Sequence, residues 1–399
     1  MSGTIRIISS NTVVEDEKTK LSFLISTSRS DNSIICDEMW FTTDNKYGGG
    51  FSGGVCDGVV LMLLPYALRG GYDIESSLPI TASLHYTLTH QLIPQILSVN
   101  KVHQTEIRAE RIKTNYQPSA IATAMSCGVD SFYTFFQNAE ESVPKDLRIT
   151  HLTFFENGAH HSNKAGYAEV MEKNFEEQCQ AAKAFCEEHG YELIVVRSNM
   201  NAFLHHHFWA DDYNKTYSFR NAGFVLLLQK TICLYYHAPA YSLDKFSCNL
   251  NASGAHYESM LFSYASTDCT KIYNSDSTKT RCEKIKYLAT KPETYHHLLV
   301  CFQEGHNCGW CVKCRRTLVE LDMTGELELY EDCFQNVQDY KEHREKWRVW
   351  LMSNRHMDDV MMEDYEYMLS DSCVFQVPPR YHLLAIGRTI GRTLKKVLK

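Results

Sequence analysis

The spacing of hydrophobic positions changes near residue 116, and the change predicts two kinds of structure. Before it, short β-prone runs such as Leu21–Thr27 and Met39–Phe41 are separated by turn residues. The same part holds an apolar run, Asp57–Leu68, and helical periodicity over Leu84–Leu97. We therefore expect a smaller N-terminal α+β domain over residues 1–115, to which the sequence assigns no role.

From residue 119 onward, short apolar runs alternate with helical patterns. They predict a strand at Ile121–Met125, a helix opening at Phe132–Gln137, a strand at Ile149–Phe155, a helix at Lys164–His189 ending at Gly190, a strand at Leu193–Val196 and a helix at Phe224–Tyr236. Strands that alternate with helices indicate βαβ units and a parallel sheet. We therefore expect an α/β domain over residues 116–300, and such sheets bind ligands at the carboxyl ends of their strands.

The last hundred residues divide into a cysteine-rich segment, 301–335, and a helical C-terminal extension, 336–399. The extension ends in a tail whose apolar residues recur at helical spacing, with basic residues between them. These are Leu383, Ile386, Ile390, Leu394 and Val397, with Arg388, Arg392, Lys395, Lys396 and Lys399. Three roles stay open for this helix: packing on the rest of the protein or on a partner protein, lying on an anionic membrane, and contacting RNA.

Composition and charge restrict the class of protein. The net charge of the 399-residue chain is −8, which argues against a generally basic nucleic-acid binder. No apolar run approaches the ~18 residues of a membrane-spanning helix, and the N-terminus lacks an apolar signal segment. Fifteen cysteines without such a signal favour a reducing compartment. We expect a cytoplasmic protein, peripheral at a membrane only through residues 382–399.

A turn of small and polar residues follows the first strand of the α/β domain. Its sequence is Ser126-Cys127-Gly128-Val129-Asp130-Ser131. A strand, a tight turn and a helix N-terminus form an anion site, because backbone N–H groups and the helix dipole point at a phosphate. The hydroxyls of Ser126 and Ser131 can add hydrogen bonds. Asp130 would repel a phosphate, so we expect it to hold Mg²⁺ or to cap the turn.

Four cysteines, Cys301, Cys308, Cys311 and Cys314, cluster after the α/β domain. Four thiolates suit tetrahedral Zn²⁺, and a site filled by four protein ligands is structural. Gly309 would let the chain turn between ligands, and Lys313, Arg315 and Arg316 would offset the negative charge. An iron–sulfur cluster, a Cys308/Cys311 redox pair and free thiols are the alternatives.

The loop and the cysteine cluster together carry a resemblance to a known family. The loop resembles the S-G-G-x-D-S loop of the ATP pyrophosphatase (PP-loop, adenine nucleotide α-hydrolase-like) superfamily, with Cys127 at the first glycine. With the cysteines added, the chain is similar to the 7-cyano-7-deazaguanine synthase branch, which carries a C-x8-C-x2-C-x2-C zinc site. Arg220-Asn221 matches the Arg-Asn pair of that branch, and Ser266-Thr267-Asp268 loosely matches its Ser-Thr-Glu motif. The resemblance covers residues 116–320.

The resemblance implies a HUP/Rossmann-like nucleotide-binding domain that cleaves ATP between its α and β phosphates. A carboxylate or carbonyl of a small-molecule substrate would be adenylated, and a nitrogen nucleophile such as ammonia would then displace AMP. Asp130, Ser131 and Arg220 are the implied catalytic residues, with Asp130 orienting Mg²⁺. The implied ATP-binding residues are Ser126, Cys127, Gly128, Val129, Asp130, Ser131, Asn157 and Arg220.

Two other functions stay open at this stage. A sulfurtransferase acting through an adenylate would need a reactive thiol at Cys127 or in the cysteine cluster. A nucleotide-binding regulatory or partner module would bind ATP without chemistry. Arg220 would form a structural ion pair if it does not contact phosphate, and Arg281 and Lys284 would either hold an anion or lie on a solvated helix face. The histidines at 160–161 and 205–207 are interpreted as surface or core residues.

Overall fold

The computed structural model describes residues 3–28, 33–159, 168–208 and 213–397, without the side chains of Ala168 and of residues 391–397. The strands are β1 (Gly3–Glu15), β2 (Lys18–Ser28), β3 (Ile34–Asp44), β4 (Tyr72–Ser76), β5 (Ile80–Thr81), β6 (Ile107–Arg108), β7 (Arg111–Ile112), β8 (Ala120–Ala124), β9 (His151–Phe155), β10 (Glu192–Ser198), β11 (Ile232–His237) and β12 (Lys271–Asn274). Ten of them form one sheet, and β5 pairs separately with β7.

Helices flank this sheet and make up most of the C-terminal part. They are α1 (Asn45–Gly48), α2 (Asp57–Gly70), α3 (Ala82–Thr87), α4 (Ile93–Val99), α5 (Val129–Ala139), α6 (Ala168–His189), α7 (Met200–Phe208), α8 (Tyr213–Leu227), α9 (Glu258–Tyr264), α10 (Arg281–Leu288), α11 (Val312–Thr324), α12 (Leu327–Tyr330), α13 (Val337–Glu342), α14 (Arg344–Asn354), α15 (Asp359–Leu369) and α16 (Pro379–Val397). Gly190 follows α6 with a φ of +73°, as the sequence predicts.

The strand order of the large sheet is β12-β11-β8-β9-β10-β3-β2-β1-β4-β6. The first five strands in this order are all mutually parallel. From the central β8 the chain moves to β9 and β10 on one side, and later to β11 and β12 on the other. The crevice beyond the carboxyl ends of β8 and β11 is therefore a topological switch point, where open parallel sheets bind ligands.

The N-terminal strands continue the parallel sheet instead of forming a separate one. β3 pairs antiparallel with β10, with Phe41 opposite Ser198 and Thr42 opposite Arg197. Residues 1–115 and the α/β part also share one hydrophobic core, in which Phe41 meets Phe224 of α8 edge to face. Neither the sheet nor the core breaks at the expected domain boundary near residue 115.

Each face of the parallel strands is covered by its own core. Ala120 and Ala122 of β8 lie in the core shared with α2 and α8, whereas Ile121 lies in the core shared with α5 and α11. Successive residues of a strand point to opposite faces, so a strand buried on both faces reads as a continuous apolar run. This pattern explains why the sequence located β8, β9 and β10 to within a few residues.

Some predicted elements differ from the structure. The apolar run predicted as one helix at Phe224–Tyr236 is the end of α8, a turn and then β11. Burial on both faces gives a helix and a strand the same apolar appearance, so periodicity does not separate them. The first strand, Gly3–Glu15, has alternating polar residues and was not predicted.

The described residues hold no helix long and apolar enough to cross a membrane. The C-terminal helix α16 lies against α14, where Tyr381 and Ala385 are buried and Arg388 donates to the Lys346 carbonyl at 3.0 Å. Residues 398–399 and the side chains of the last residues of the predicted tail lie outside the described part of the chain.

Candidate functional site

The predicted phosphate loop connects β8 to α5 at the switch point. Its two hydroxyls face each other, with 3.1 Å between Ser126 Oγ and Ser131 Oγ. The Gly128 N–H donates to Ser131 Oγ at 3.0 Å, which fixes the start of α5. The N–H groups of Val129 and Asp130 lie in the first turn of the helix and so have no intrahelical acceptor. The loop thus presents N–H donors and the exposed Ser126 hydroxyl at the positive end of a helix dipole. The Ser131 hydroxyl is buried and donates to the Gly128 carbonyl at 3.0 Å.

Cys127 holds the tight bend of this loop. Its φ is +57°, the left-handed region that glycine adopts most easily, and its side chain is fully buried. Its carbonyl accepts a hydrogen bond of 2.8 Å from the Leu299 N–H. Burial raises the pKa of the Cys127 thiol far above its ordinary value, so the thiolate is disfavoured. Cys127 therefore takes a backbone conformation that glycine adopts most easily, and it is not presented as a reactive thiol.

Asp130 is paired with two cations from α10. Its Oδ2 accepts from Arg281 Nη1 at 2.9 Å, and its Oδ1 accepts from Lys284 Nζ at 2.8 Å. Burial raises the pKa of Asp130, but Lys284 and Arg281 outweigh burial and hold the pKa below its usual value. Both carboxylate oxygens are thus occupied by cations, an arrangement that does not fit a ligand of Mg²⁺. Arg281 and Lys284 are buried, so they do not form a solvated helix face.

The charge cluster extends from Asp130 to α11 and α15. Arg281 Nε donates to Glu320 at 2.9 Å, and Arg316 Nε lies 2.9 Å from the other oxygen of Glu320 and 3.7 Å from Asp364. Burial, with Glu320 nearby, raises the pKa of Asp364 well above its ordinary value, which favours its neutral form. Burial, with Arg316 and Arg281 nearby, lowers the pKa of Lys313. Arg281, Glu320, Arg316 and Asp364 therefore form one charge cluster that reaches from the loop to α15.

Arg220 is fully buried and supports the turn that follows β9. Its Nη1 donates to the Asn157 carbonyl at 3.2 Å and to Asn201 at 2.9 Å, and its Nη2 donates to Tyr66 at 2.8 Å. No carboxylate among the described residues pairs with it. Gly158, at a φ of +100°, lies directly against the guanidinium, where a Cβ would clash. Arg220 therefore holds the Asn157–Gly158 turn, while contact of Arg220 with phosphate and of Asn157 with ATP stay predictions.

The four predicted metal-ligating cysteines are buried together. The Sγ atoms of Cys301 and Cys308 are 3.6 Å apart, and Cys311 and Cys314 each lie 3.9 Å from one of them. Four sulfurs at about 2.3 Å from Zn²⁺ in a tetrahedron would be about 3.8 Å apart, whereas a disulfide needs about 2.05 Å. Gly309 makes the expected turn, with a φ of +80°. The cluster can bind a metal ion such as zinc.

Backbone N–H groups orient the sulfurs of this cluster. The Cys311 N–H donates to Cys308 Sγ and the Cys314 N–H donates to Cys311 Sγ, both at 3.4 Å. The buried Asn307 accepts from the N–H groups of Val300 and Cys301 at 2.8 and 3.1 Å. Such outer contacts fix the direction of metal ligands before the metal arrives.

The cysteine segment also contacts the phosphate loop. The residue that bonds to the Cys127 carbonyl, Leu299, comes two residues before Cys301. On the other side of the cluster, α11 begins after Cys311 and carries Glu320, which holds Arg281 beside Asp130. The cysteine cluster and the loop are therefore joined through two short chains of contacts.

The other sequence candidates lie away from the loop. Ser266-Thr267-Asp268 precedes β12 and so lies near the amino end of the parallel strands, opposite the loop. His207 is buried between Thr27 and Asp37, and His206 is exposed beside the same Asp37. The histidines at 160–161 lie outside the described residues.

Sequence reasoning missed the acidic partners of this site. Glu320 and Asp364 come from helices far along the chain, and the buried pair Glu258 and His237 lies at the end of β11. No local motif marks these residues, because each acts through a neighbour that only the fold supplies.

Comparisons with known protein families, with curated proteins and with solved structures each found no match for this chain.

Proposed function

We propose that this protein is an ATP-dependent enzyme that adenylates a carboxylate or carbonyl of a small molecule, releases pyrophosphate and then transfers nitrogen. The observation that carries the proposal is the loop at residues 126–131. It lies at the switch point of a parallel sheet and offers a helix N-terminus and the exposed Ser126 hydroxyl, while the Ser131 hydroxyl caps the loop. The five-stranded parallel order matches doubly wound, HUP/Rossmann-like nucleotide-binding sheets, which supports the resemblance of residues 116–320.

The charges around the loop suit a leaving pyrophosphate. Arg281 and Lys284 contact Asp130 of the loop, and Arg316 joins the same cluster through Glu320. Attack of a substrate oxygen on the α-phosphate places negative charge on the departing pyrophosphate, and fixed cations stabilise that charge. In this proposal Ser126, Ser131 and the loop N–H groups hold phosphate oxygens. Asp130 keeps two of the cations in place instead of binding Mg²⁺ directly.

The cysteine cluster has a structural role in this proposal. Its four sulfurs would complete the coordination of Zn²⁺ and leave no position for a substrate. Zinc would then fix the segment that supports Cys127 and the helix that supplies Arg316.

The test is pyrophosphate release from ATP·Mg²⁺ with ammonia and a panel of carboxylate and carbonyl compounds. We expect release that depends on one class of acceptor and falls at least 100-fold in the Ser131→Ala and Asp130→Ala variants. A control variant, Glu140→Gln, removes an exposed ion pair with Lys291 at the far end of α5 and should retain activity. A folded protein that binds no ATP would refute the proposal.

One observation favours a second candidate, a nucleotide-binding module without chemistry. Asp130 is already neutralised by Arg281 and Lys284, so the loop lacks a free carboxylate for Mg²⁺. That candidate predicts ATP binding without pyrophosphate release for any acceptor. The sulfurtransferase alternative has no support at Cys127, whose thiol is enclosed and whose pKa is raised.

We also propose that α16 attaches the protein peripherally to anionic membranes. The helix packs through Tyr381 and Ala385, and this leaves Leu383, Ile386 and Ile390 exposed at 72, 51 and 55%. An outward apolar stripe accompanied by basic residues is typical of helices that lie at a lipid interface.

A further inference from the structure

Two histidines and one aspartate meet where α7 packs against β3. His206 Nδ1 lies 2.8 Å from Asp37 Oδ2, and His207 Nε2 lies 3.1 Å from the same oxygen. One atom of each of these three side chains thus lies within 4.8 Å of the other two. We call this group the Asp–His–His cluster. It shares no residue with the cysteine cluster or with the loop at residues 126–131.

The strand register and the start of α7 bring this cluster together. Asp37 and Thr27 lie on the same face of β2 and β3, because Ile25 pairs with Asp37 and is two residues from Thr27. Asn199, which precedes α7, bonds to an N–H and a carbonyl group of β3, both at 2.8 Å. These bonds fix α7 on β3, and the last turn of the helix carries both histidines to Asp37.

His207 is held in the orientation that a metal ligand needs. Its ring is fully buried and stacks on Phe203, with 3.9 Å between the ring centroids. Its Nδ1 lies 2.8 Å from Thr27 Oγ1. When this hydroxyl accepts the Nδ1 proton, Nε2 keeps its lone pair on the side of Asp37. Histidines that bind metals are typically oriented in this way, by a hydrogen bond from the other ring nitrogen.

The three ligand atoms have the spacing that a metal ion requires. Successive side chains of a helix point about 100° apart, so adjacent histidines do not face each other. His206 and His207 both reach Asp37 because its Oδ2 lies between their directions. Ligands at about 2.0–2.1 Å from a tetrahedral Zn²⁺ lie about 3.3–3.4 Å apart. The separations in the cluster, 2.8 Å, 3.1 Å and at most 4.8 Å, bracket that value.

The kinds of ligand atom select the metal. Two imidazole nitrogens and one carboxylate oxygen suit Zn²⁺, whereas Mg²⁺ and Ca²⁺ prefer sites made of oxygen atoms. The side chains of His206 and Asp37 are 63% and 41% exposed, so an ion can reach the cluster from solvent. Three protein ligands leave the fourth tetrahedral position to water.

We propose that Asp37, His206 and His207 bind one Zn²⁺ ion, with water as the fourth ligand. The ion joins β3, in the N-terminal part of the sheet, to the helix that follows β10. With the cysteine cluster loaded as well, the chain holds two zinc ions. This site is independent of the proposed enzymatic function.

The experiment measures zinc content in the full-length protein. Each protein is incubated with zinc chloride, freed of unbound metal by gel filtration and analysed for metal. We expect His206→Gln and Asp37→Asn each to bind one equivalent of zinc fewer than wild type. The matched control is His205→Gln, which changes the adjacent histidine outside the cluster and should keep the wild-type content. Because His206 is exposed, its replacement leaves the core intact. Equal zinc content in wild type and folded His206→Gln would overturn the proposal.

A second readout measures the response of stability to zinc. At a free zinc concentration 100 times the Kd of this site, occupation of the site should raise the Tm of His205→Gln by roughly 3 °C more than that of His206→Gln. Magnesium chloride should not produce this difference. The same rise in both variants with zinc, or the same difference with magnesium, would overturn zinc binding here. A protein that binds this zinc but never releases pyrophosphate would retain the site and lose the proposed function.

Discussion

The bend at Cys127 combines two residue-scale effects of opposite sign. A left-handed backbone costs a non-glycine residue roughly 1–2 kcal/mol, whereas its buried sulfur gains contacts that glycine would forgo. Because the thiol points into the core, Cys127 affects how the loop is held and not what the loop offers to a ligand.

Replacing this sulfur tests that interpretation. Cys127→Ala should lower the free energy of unfolding by about 1 kcal/mol, because it removes buried contacts and keeps the left-handed backbone. Pyrophosphate release should stay within threefold of wild type. Urea unfolding and the release assay measure the two quantities. Loss of all turnover in a folded Cys127→Ala protein would instead support thiol chemistry.

The contribution of Asp130 to the free energy of unfolding depends on pH. Lys284 and Arg281 hold the pKa of Asp130 below its ordinary value. The ion pairs therefore contribute fully to the free energy of unfolding above about pH 4, the ordinary pKa of an aspartate in the unfolded chain. This contribution is lost as the pH falls through the lower pKa of the folded protein. Asp130→Asn should therefore cost about 1–3 kcal/mol at pH 7, and the difference from wild type should shrink below pH 4. Urea unfolding at pH 7, 5 and 3.5 measures it. Glu140→Gln, at an exposed pair, should cost under about 1 kcal/mol; an equal loss in both variants would contradict this argument.

At the scale of elements, local signals were predictable and long-range pairings were not. The cysteine spacing, the strand β8 and the stop of α6 at Gly190 each depend on a few adjacent residues, so the sequence located them. The Arg281–Asp130 pair joins residues 151 positions apart, and no spacing rule reaches that far. The turn between α8 and β11 was missed because burial on both sides removes periodicity.

The contact between the cysteine segment and the loop predicts a shared response to metal loss. Cys308→Ser should reduce bound zinc from one equivalent to near zero, since structural zinc contributes on the order of 10–16 kcal/mol of apparent binding energy. Hydrogen exchange should then rise in residues 298–316 and also in residues 126–131. Metal analysis and exchange mass spectrometry provide the measurements. Cys36→Ser, at an exposed cysteine outside the cluster, is the control. A loop that stays protected after zinc is lost would show that the two regions are independent.

At the scale of the whole molecule, charge is divided unevenly along the chain. The net −8 consists of +6 in residues 380–399 and −14 in the rest. An anionic surface therefore attracts the C-terminal helix and repels the remainder, which favours an orientation with α16 facing the lipid.

Removing this helix tests the membrane proposal. The full chain should float with vesicles containing phosphatidylserine, and a chain ending at Pro379 should not. Ile386→Ser/Ile390→Ser, which keeps every charge, should reduce flotation at least fivefold because it removes exposed apolar area. Neutral vesicles and added salt should weaken binding by the full chain. Equal flotation of all three proteins would refute the proposal.

Because β3 lies between β2 and β10, one edge of β3 stays unpaired during synthesis until β10 has been made. β1, β2 and β3 leave the ribosome first, and β10 follows about 150 residues later. At roughly 5–20 residues per second, the outer edge of β3 waits about 7–30 s for its neighbour. Unpaired edges recruit other strands, and charged side chains discourage this. Asp37 and Glu38 lie on the same strand, just before the Phe41 and Thr42 positions that β10 pairs with, so we expect their charge to discourage mispairing of the neighbouring edge.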